Sequence, residues 1–166
     1  MHEAILSLGS NLDDRSENLK KGIRLIEEQL GKITQVSSLY ETAAIGFQSE
    51  LNFYNICLNV ETNRNPEEIL DITEAIEVEC GRMQKSKNKI FSSRTLDIDI
   101  ILIGDIIINT SRLTIPHPRY TERKFVLFPL VDIQPFIIDP NLKIIASEIL
   151  ANCKDDSYVK PIINVL

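Results

Sequence analysis

The stretch Arg94-Thr95-Leu96-Asp97-Ile98-Asp99-Ile100-Ile101-Leu102-Ile103 decides how the rest of the chain is read. It is short, rich in β-branched residues and stopped by Gly104, which predicts a β-strand. Residues two apart on a strand share a face, so Asp97 and Asp99 point the same way, roughly 7 Å apart. Strict alternation continues that face with Ile101 and Ile103 and puts Leu96, Ile98, Ile100 and Leu102 on the other. A strand apolar on both faces is usually buried on both, which predicts a central strand. Two carboxylates side by side in such a place repel and resist ionising. A hard cation relieves the conflict, because Mg²⁺ is typically held by one or two carboxylates together with substrate phosphates. A solvated sheet edge is the competing reading. The apolar residues on both faces and the basic segment just ahead favour the metal.

That segment, residues 82–93, carries Arg82, Lys85, Lys87 and Lys89, then meets Arg94, with no acid among them. Such a loop is either a solvated turn or a cover that neutralises a polyphosphate and excludes water. The chain around it is acidic: 18 basic against 24 acidic residues give a net charge of −6. General nucleic-acid affinity is therefore not expected. At 166 residues, 43% hydrophobic and 25% charged, the chain predicts one domain over 1–166 with a real core. It has no apolar run of about 18 residues and no secretory-signal pattern, so a cytoplasmic protein without membrane partners is expected. Cys57, Cys80 and Cys153 are scattered and odd in number, which suggests a reducing compartment and buried thiols.

Elsewhere the periodicities are ordinary. Residues 3–8 read as a first strand, with Ser10 or Asn11 capping a helix whose stripe is Leu12, Leu19, Ile23, Ile26 and Leu30. Gly31 is read as its C-cap. Residues 33–40 read as a second strand, and 42–51 as a loop long enough to move. Residues 53–60 alternate: Tyr54, Ile56, Leu58 and Val60 against Phe53, Asn55, Cys57 and Asn59. Phe53 beside Asn55 fits a half-exposed strand, and equally a site that stacks a flat heterocycle and bonds its edge. Asn65-Pro66-Glu67-Glu68 starts a second helix with stripe Ile69, Ile72, Ile76 and Cys80, ended by Gly81. Glu74 and Glu77 read by default as solvated flank.

Residues 105–109 read as a short edge strand. Pro116 and Pro118 fix His117, Arg119, Arg123 and Lys124 follow, and 125–130 reads as a short helix. The chain from 137 onward reads as cover with little chemistry. The order β-α-β-β-α-β predicts an α+β, ferredoxin-like core, an antiparallel sheet with helices on both faces in three layers. Phosphate loops and dinucleotide, zinc-protease and hydrolase motifs are missing from the sequence. An acid pair, basic loop, fixed His and several Arg are the equipment of phosphoryl transfer. The residues by themselves predict a Mg²⁺-dependent enzyme acting on a nucleoside triphosphate, with the acceptor unnamed.

Three runs then carry a resemblance: Leu8-Gly9-Ser10-Asn11-Leu12, Ser93-Arg94-Thr95-Leu96-Asp97-Ile98-Asp99, and Pro116-His117-Pro118-Arg119 through Glu122-Arg123 and Phe125-Val126-Leu127. In order and spacing from about residue 3 to residue 140, the chain resembles the 6-hydroxymethyl-7,8-dihydropterin pyrophosphokinases of folate biosynthesis. The resemblance implies transfer of pyrophosphate from ATP to the pterin hydroxymethyl group, releasing AMP. It implies two Mg²⁺ ions on Asp97 and Asp99, and Arg82, Arg94, Asp97 and Asp99 as the catalytic set. It places Thr42, Phe53, Asn55, Asp97 and Phe125 at the pterin. It places Glu77, Arg82, Phe91, Arg94, Ile100, Arg112, Leu113, Thr114, His117 and Arg123 around ATP. Small-molecule substrates and a monomer are the expected partners and state. Gln84, Glu74 and Ser92 depart from the pattern, standing where an Arg, a Gln and a Gly are frequent. Two other readings stay open: a different Mg²⁺-dependent phosphoryl or nucleotidyl transferase on this scaffold, and a non-catalytic binding module.

Overall fold

The computed structural model describes residues 1–43, 52–81 and 95–162. The elements in chain order are β1 (His2–Ser10), α1 (Arg15–Gln29), β2 (Lys32–Val36), β3 (Leu39–Thr42), β4 (Phe53–Thr62) and α2 (Pro66–Glu79). They continue with β5 (Asp97–Ile103), β6 (Ile108–Asn109), β7 (Thr114–Ile115), a 3-10 turn (Tyr120–Glu122), α3 (Lys124–Ile133), α4 (Ala146–Asn152) and β8 (Val159–Ile162). The main sheet is antiparallel in the order β5-β1-β4-β3-β8, with β2 also on β4. This is the ferredoxin-like arrangement, extended at one edge by β8.

The two faces bury different helices. Leu19, Leu25 and Ile26 of α1 and Ile69 and Ile76 of α2 pack with Leu6, Leu8, Ile56, Leu58, Ile98 and Ile100. On the other face Val126, Leu127 and Leu130 of α3 and Ala146 and Ile149 of α4 pack with Ile5, Cys57, Ile101 and Leu102. Helices on both faces make the three layers that the sequence predicts.

Several local expectations need correction. The β5 strand lies at the edge of the sheet, not its middle, although both its faces are buried beyond Asp99. Its alternation also breaks. The β1–β5 register shifts so that Ile5 opposes Leu102 while Leu6 opposes Ile100. Ile101 is the extra residue, so Ile101 and Leu102 both face α3 and Ile103 turns to the α1–α2 side. Residues 33–40 split into β2 and β3, with Ser37 Oγ accepting from the Cys57 N–H at the break. Helix α1 is capped by Asp14, which accepts from Glu17 N, and neither Ser10 nor Asn11 takes that role, because Asp13 at φ +54° first reverses the chain. Gly31 is not a left-handed cap. It is a glycine because a Cβ there would lie 2.2 Å from the Glu61 carbonyl oxygen. Residues 105–109 do not extend the main sheet; β6 and β7 pair as a separate hairpin. Helix α3 runs longer than predicted and carries Pro129 inside. The Asn65 cap is as predicted, a reciprocal capping box with Glu68.

Candidate active site

Sheet register builds the site. Gly9 pairs with Asn55 on one side and with Asp97 on the other. Directly opposed residues point to the same face, so Asp97, Gly9 and Asn55 form one row across three strands. Strands stand about 4.8 Å apart, which puts Asp97 and Asn55 roughly 10 Å apart with no side chain between them. The row is a trough with a glycine floor. A Cβ on Gly9 would stand 3.3 Å from Asn55 Oδ1 and 3.6 Å from Phe53 Cδ1. The run through Gly9 is visible in the sequence, but a capping turn explains it there, and only pairing across strands reveals its place as a floor.

One end of the trough is polar and flat-sided. Asn55 and Thr42 are both buried, and Asn55 Nδ2 donates to Thr42 Oγ1 at 3.0 Å. That bond fixes the Asn amide with its oxygen towards Gly9. Phe53, half-buried, pairs with Thr42 across the strands. Phe125 begins α3 as its second residue, and the Arg123 guanidinium stands 5.6 Å from its ring centre.

The other end holds the carboxylates. Asp97 and Asp99 are half-buried on the α3 face of β5. His117 is pinned beside them, its backbone N–H donating to the Ile101 carbonyl at 2.9 Å. Its Nε2 stands 3.9 Å from Asp99 Oδ1. Burial, then the Arg123 charge, push the His117 imidazole down to about 4, against a smaller opposing pull from Asp97. The ring is therefore neutral at pH 7 and its approach to Asp99 is not an ion pair. Nδ1 accepts from Arg119 N at 3.2 Å, which leaves the proton on Nε2, aimed at the carboxylate end.

Around the open edge of β5 runs a cleft of about 290 Å³. Its walls include Glu77, Asp97, Asp99, Ile100, Arg112, Leu113, Thr114 and His117, so eight of the residues predicted to touch nucleotide or metal line one space. Thr73 and Leu70 of α2 join them unforeseen. Ile100 and Leu113 are nearly buried and give the cleft an apolar wall. Arg112 is exposed and held against α2 by Asp71 at 2.7 Å, Glu67 at 3.2 Å and Glu74 at 3.7 Å. Those carboxylates, Asp71 first, hold its guanidinium more firmly protonated than usual. Glu74 thus has its partner. Glu77 is not solvated flank: it is 3% exposed and accepts the Ile98 N–H. Arg82, Gln84, Phe91, Ser92 and Arg94 lie outside the described residues, as do most of the 42–51 loop and all of the basic 82–93 loop.

An acid pair and a neutral imidazole donor at one end, and a buried amide beside an aromatic ring at the other, are equipment that suits a phosphoryl-group transferase with a flat acceptor. The chain belongs to the 7,8-dihydro-6-hydroxymethylpterin-pyrophosphokinase family, whose model matches residues 5–135. It is 39% identical over 131 residues to a Bacillus subtilis 2-amino-4-hydroxy-6-hydroxymethyldihydropteridine pyrophosphokinase, covering 78% of this chain and 77% of that one. The Aquifex aeolicus enzyme of the same name is 36% identical over 166 residues, 100% of this chain and 99% of the relative. Among solved structures, a Plasmodium falciparum HPPK-DHPS chain with pteroate shares the fold at a TM-score of 0.72 and 17% identity. That match covers 90% of this chain and 44% of the longer Plasmodium chain.

Proposed function

We propose that residues 1–166 form one pterin pyrophosphokinase domain whose trough seats the pterin at Asn55 and the triphosphate at Asp97. Family membership makes the chain an ATP-dependent diphosphotransferase of folate biosynthesis, passing pyrophosphate to 6-hydroxymethyl-7,8-dihydropterin. The observation that carries the assignment of the site is the row Asp97–Gly9–Asn55. With the triphosphate at Asp97 and the pterin at Asn55, the two stand about 10 Å apart over a bare floor, the span of a pterin with its hydroxymethyl arm.

In this reading Phe53 and Phe125 sandwich the bicyclic ring. Asn55, its amide held by Thr42, reads the ring edge. The pterin hydroxyl oxygen then attacks the β-phosphorus of ATP in line. The new bond is oxygen to β-phosphorus; the bond from β-phosphorus to the bridging oxygen breaks, and AMP leaves. His117 donates through Nε2 to phosphate oxygen, and Arg123 neutralises charge beside it. Arg82 and Arg94 complete the catalytic set; Phe91 joins the nucleotide side. Arg112 and Thr114 stand at the nucleotide rim, with Ile100 and Leu113 as its apolar wall. In this reading Asp97 also assists removal of the hydroxyl proton.

The donor set fits Mg²⁺. Asp97 and Asp99 supply hard oxygens from one strand face, both half-buried. They would hold two ions, which supply charge neutralisation at the phosphates. The chain is read as a monomer, because one chain supplies both ends of the trough. It is placed in the cytoplasm on its three free cysteines; among the described residues no helix is long and apolar enough to cross a membrane.

Product analysis tests the function. With ATP, Mg²⁺ and the hydroxymethyl pterin, AMP and pterin diphosphate are expected in equal amounts. ADP or free pyrophosphate as the nucleotide-derived product would contradict it.

A further inference from the structure

The family match ends at residue 135, yet the chain beyond it grips the site from behind. The carboxylate of Asp155 accepts the backbone N–H of Lys124 through Oδ2 at 2.8 Å. Its other oxygen accepts from Ser157 N at 2.9 Å, which fixes the carboxylate in place. Lys124 opens α3, and the residue before it, Arg123, offers that helix no side-chain cap. The first N–H groups of a helix lack partners within it, and a carboxylate there also suits the positive end of the helix dipole. Asp155, 31 residues away in sequence, therefore does the capping that the local sequence omits. Phe125 is the next residue. Two further ties run the same way. Strand β8 pairs with β3 so that Val159 opposes Thr42. Asp139, 2% exposed, accepts the Tyr120 hydroxyl at 2.6 Å, inside the turn between His117 and Arg123.

We infer that Asp155 is a positioning residue of the acceptor pocket: it sets the start of α3, and through it the angle at which Phe125 faces Phe53 and Asn55. The inference rests on the reading of that pocket as the pterin site. A carboxylate that served only general stability would not favour one substrate over the other. Asp155 does, because Phe125, in the first turn of α3, faces the pterin in this reading, while the nucleotide cleft is walled by β5, α2, the β6–β7 hairpin, His117 and Pro118, and Arg123, just ahead of Lys124, is the part of this segment that serves the phosphates.

The test uses the full chain and its Asp155→Ala and Asp155→Asn variants, well below their melting temperatures. Steady-state AMP release gives KM for each substrate, and hydrogen exchange reports the first turn of α3. Asp155→Ala is expected to raise the pterin KM roughly fivefold, the scale of a lost helix cap. The ATP KM rises by clearly less, through Arg123, and exchange quickens at the start of α3. Asp155→Asn, whose amide oxygen still accepts from Lys124 N, returns the pterin KM towards the unsubstituted value. An unchanged pterin KM in Asp155→Ala, or an equal rise for both substrates, overturns the role of Asp155 alone. If the unsubstituted chain turns over no pterin, the reading of the pocket fails, and the role of Asp155 with it.

Discussion

Glu77 Oε1 accepts the backbone N–H of Ile98 at 2.8 Å, so a buried carboxylate of α2 holds β5 at the residue between its two aspartates. An edge strand has a row of backbone groups with no neighbouring strand, and this bond satisfies one of them. It also explains how an edge strand keeps Asp97 and Asp99 in fixed relation to the cleft.

Replacing Glu77 by Ala leaves the Ile98 N–H buried without that acceptor, at a cost of roughly 1–3 kcal/mol. A lower melting temperature and a marked loss of AMP release are expected together. Glu77→Gln keeps an acceptor and recovers most of the stability. Calorimetry and steady-state rates on the two variants check this; full activity in Glu77→Ala would show that the strand holds its own place.

The glycine floor makes a separate prediction. Gly9→Ala puts a methyl group 3.3 Å from Asn55 Oδ1, inside the space assigned to the pterin. The fold has little reason to suffer, since no left-handed backbone is required there. The pterin KM is expected to rise by about tenfold or more, the ATP KM to hold. A Gly9→Ala enzyme with normal pterin affinity would move the acceptor elsewhere.

Gly31 separates stability from function. Its missing Cβ lets β4 pass, and Gly31→Ala forces a shift against the Glu61 carbonyl. A loss of roughly 1–3 kcal/mol in denaturant unfolding is expected, with both KM values intact at 25 °C. Selective loss of one substrate would contradict a purely structural role.

Tyr120 gives an alkaline signature. Burial first, then the hydrogen bond and charge of Asp139, hold its hydroxyl above the ordinary phenol range. Folding thus favours the protonated form. The stabilisation is complete below about pH 10, where the unfolded tyrosine titrates, and falls as pH rises beyond it. Tyr120→Phe is expected to lose less stability than the unsubstituted chain between about pH 9 and pH 11. Parallel alkaline curves for the two would remove the hydroxyl from the account.

The legible parts of the sequence were those fixed by local rules. Asn65-Pro66-Glu67-Glu68 is a helix start by its own chemistry. The alternation through Phe53 and Asn55 shows which residues share a face, and Asp97 and Asp99 show it likewise. The rest depends on partners far away in the chain. Nothing near Ile101 announces a bulge, because the register of β1 decides it. Gly31 looks like a helix stop until Glu61 is seen beside it. Glu77 looks solvated until Ile98 is placed under it. Asp155 and Asp139 sit in a stretch without periodicity, and their value lies wholly in what they reach, Lys124 and Tyr120.

The role of Asp97 and Asp99 as metal ligands is read out by the Mg²⁺ dependence of AMP release. The chain, Asp97→Ala and Asp99→Ala are compared across a Mg²⁺ titration with ATP and the hydroxymethyl pterin. Release is expected to rise with Mg²⁺ in the unsubstituted chain and to fall by about a hundredfold or more in either variant. Asp97→Ala turning over at the full rate, with the same Mg²⁺ dependence, would contradict that role.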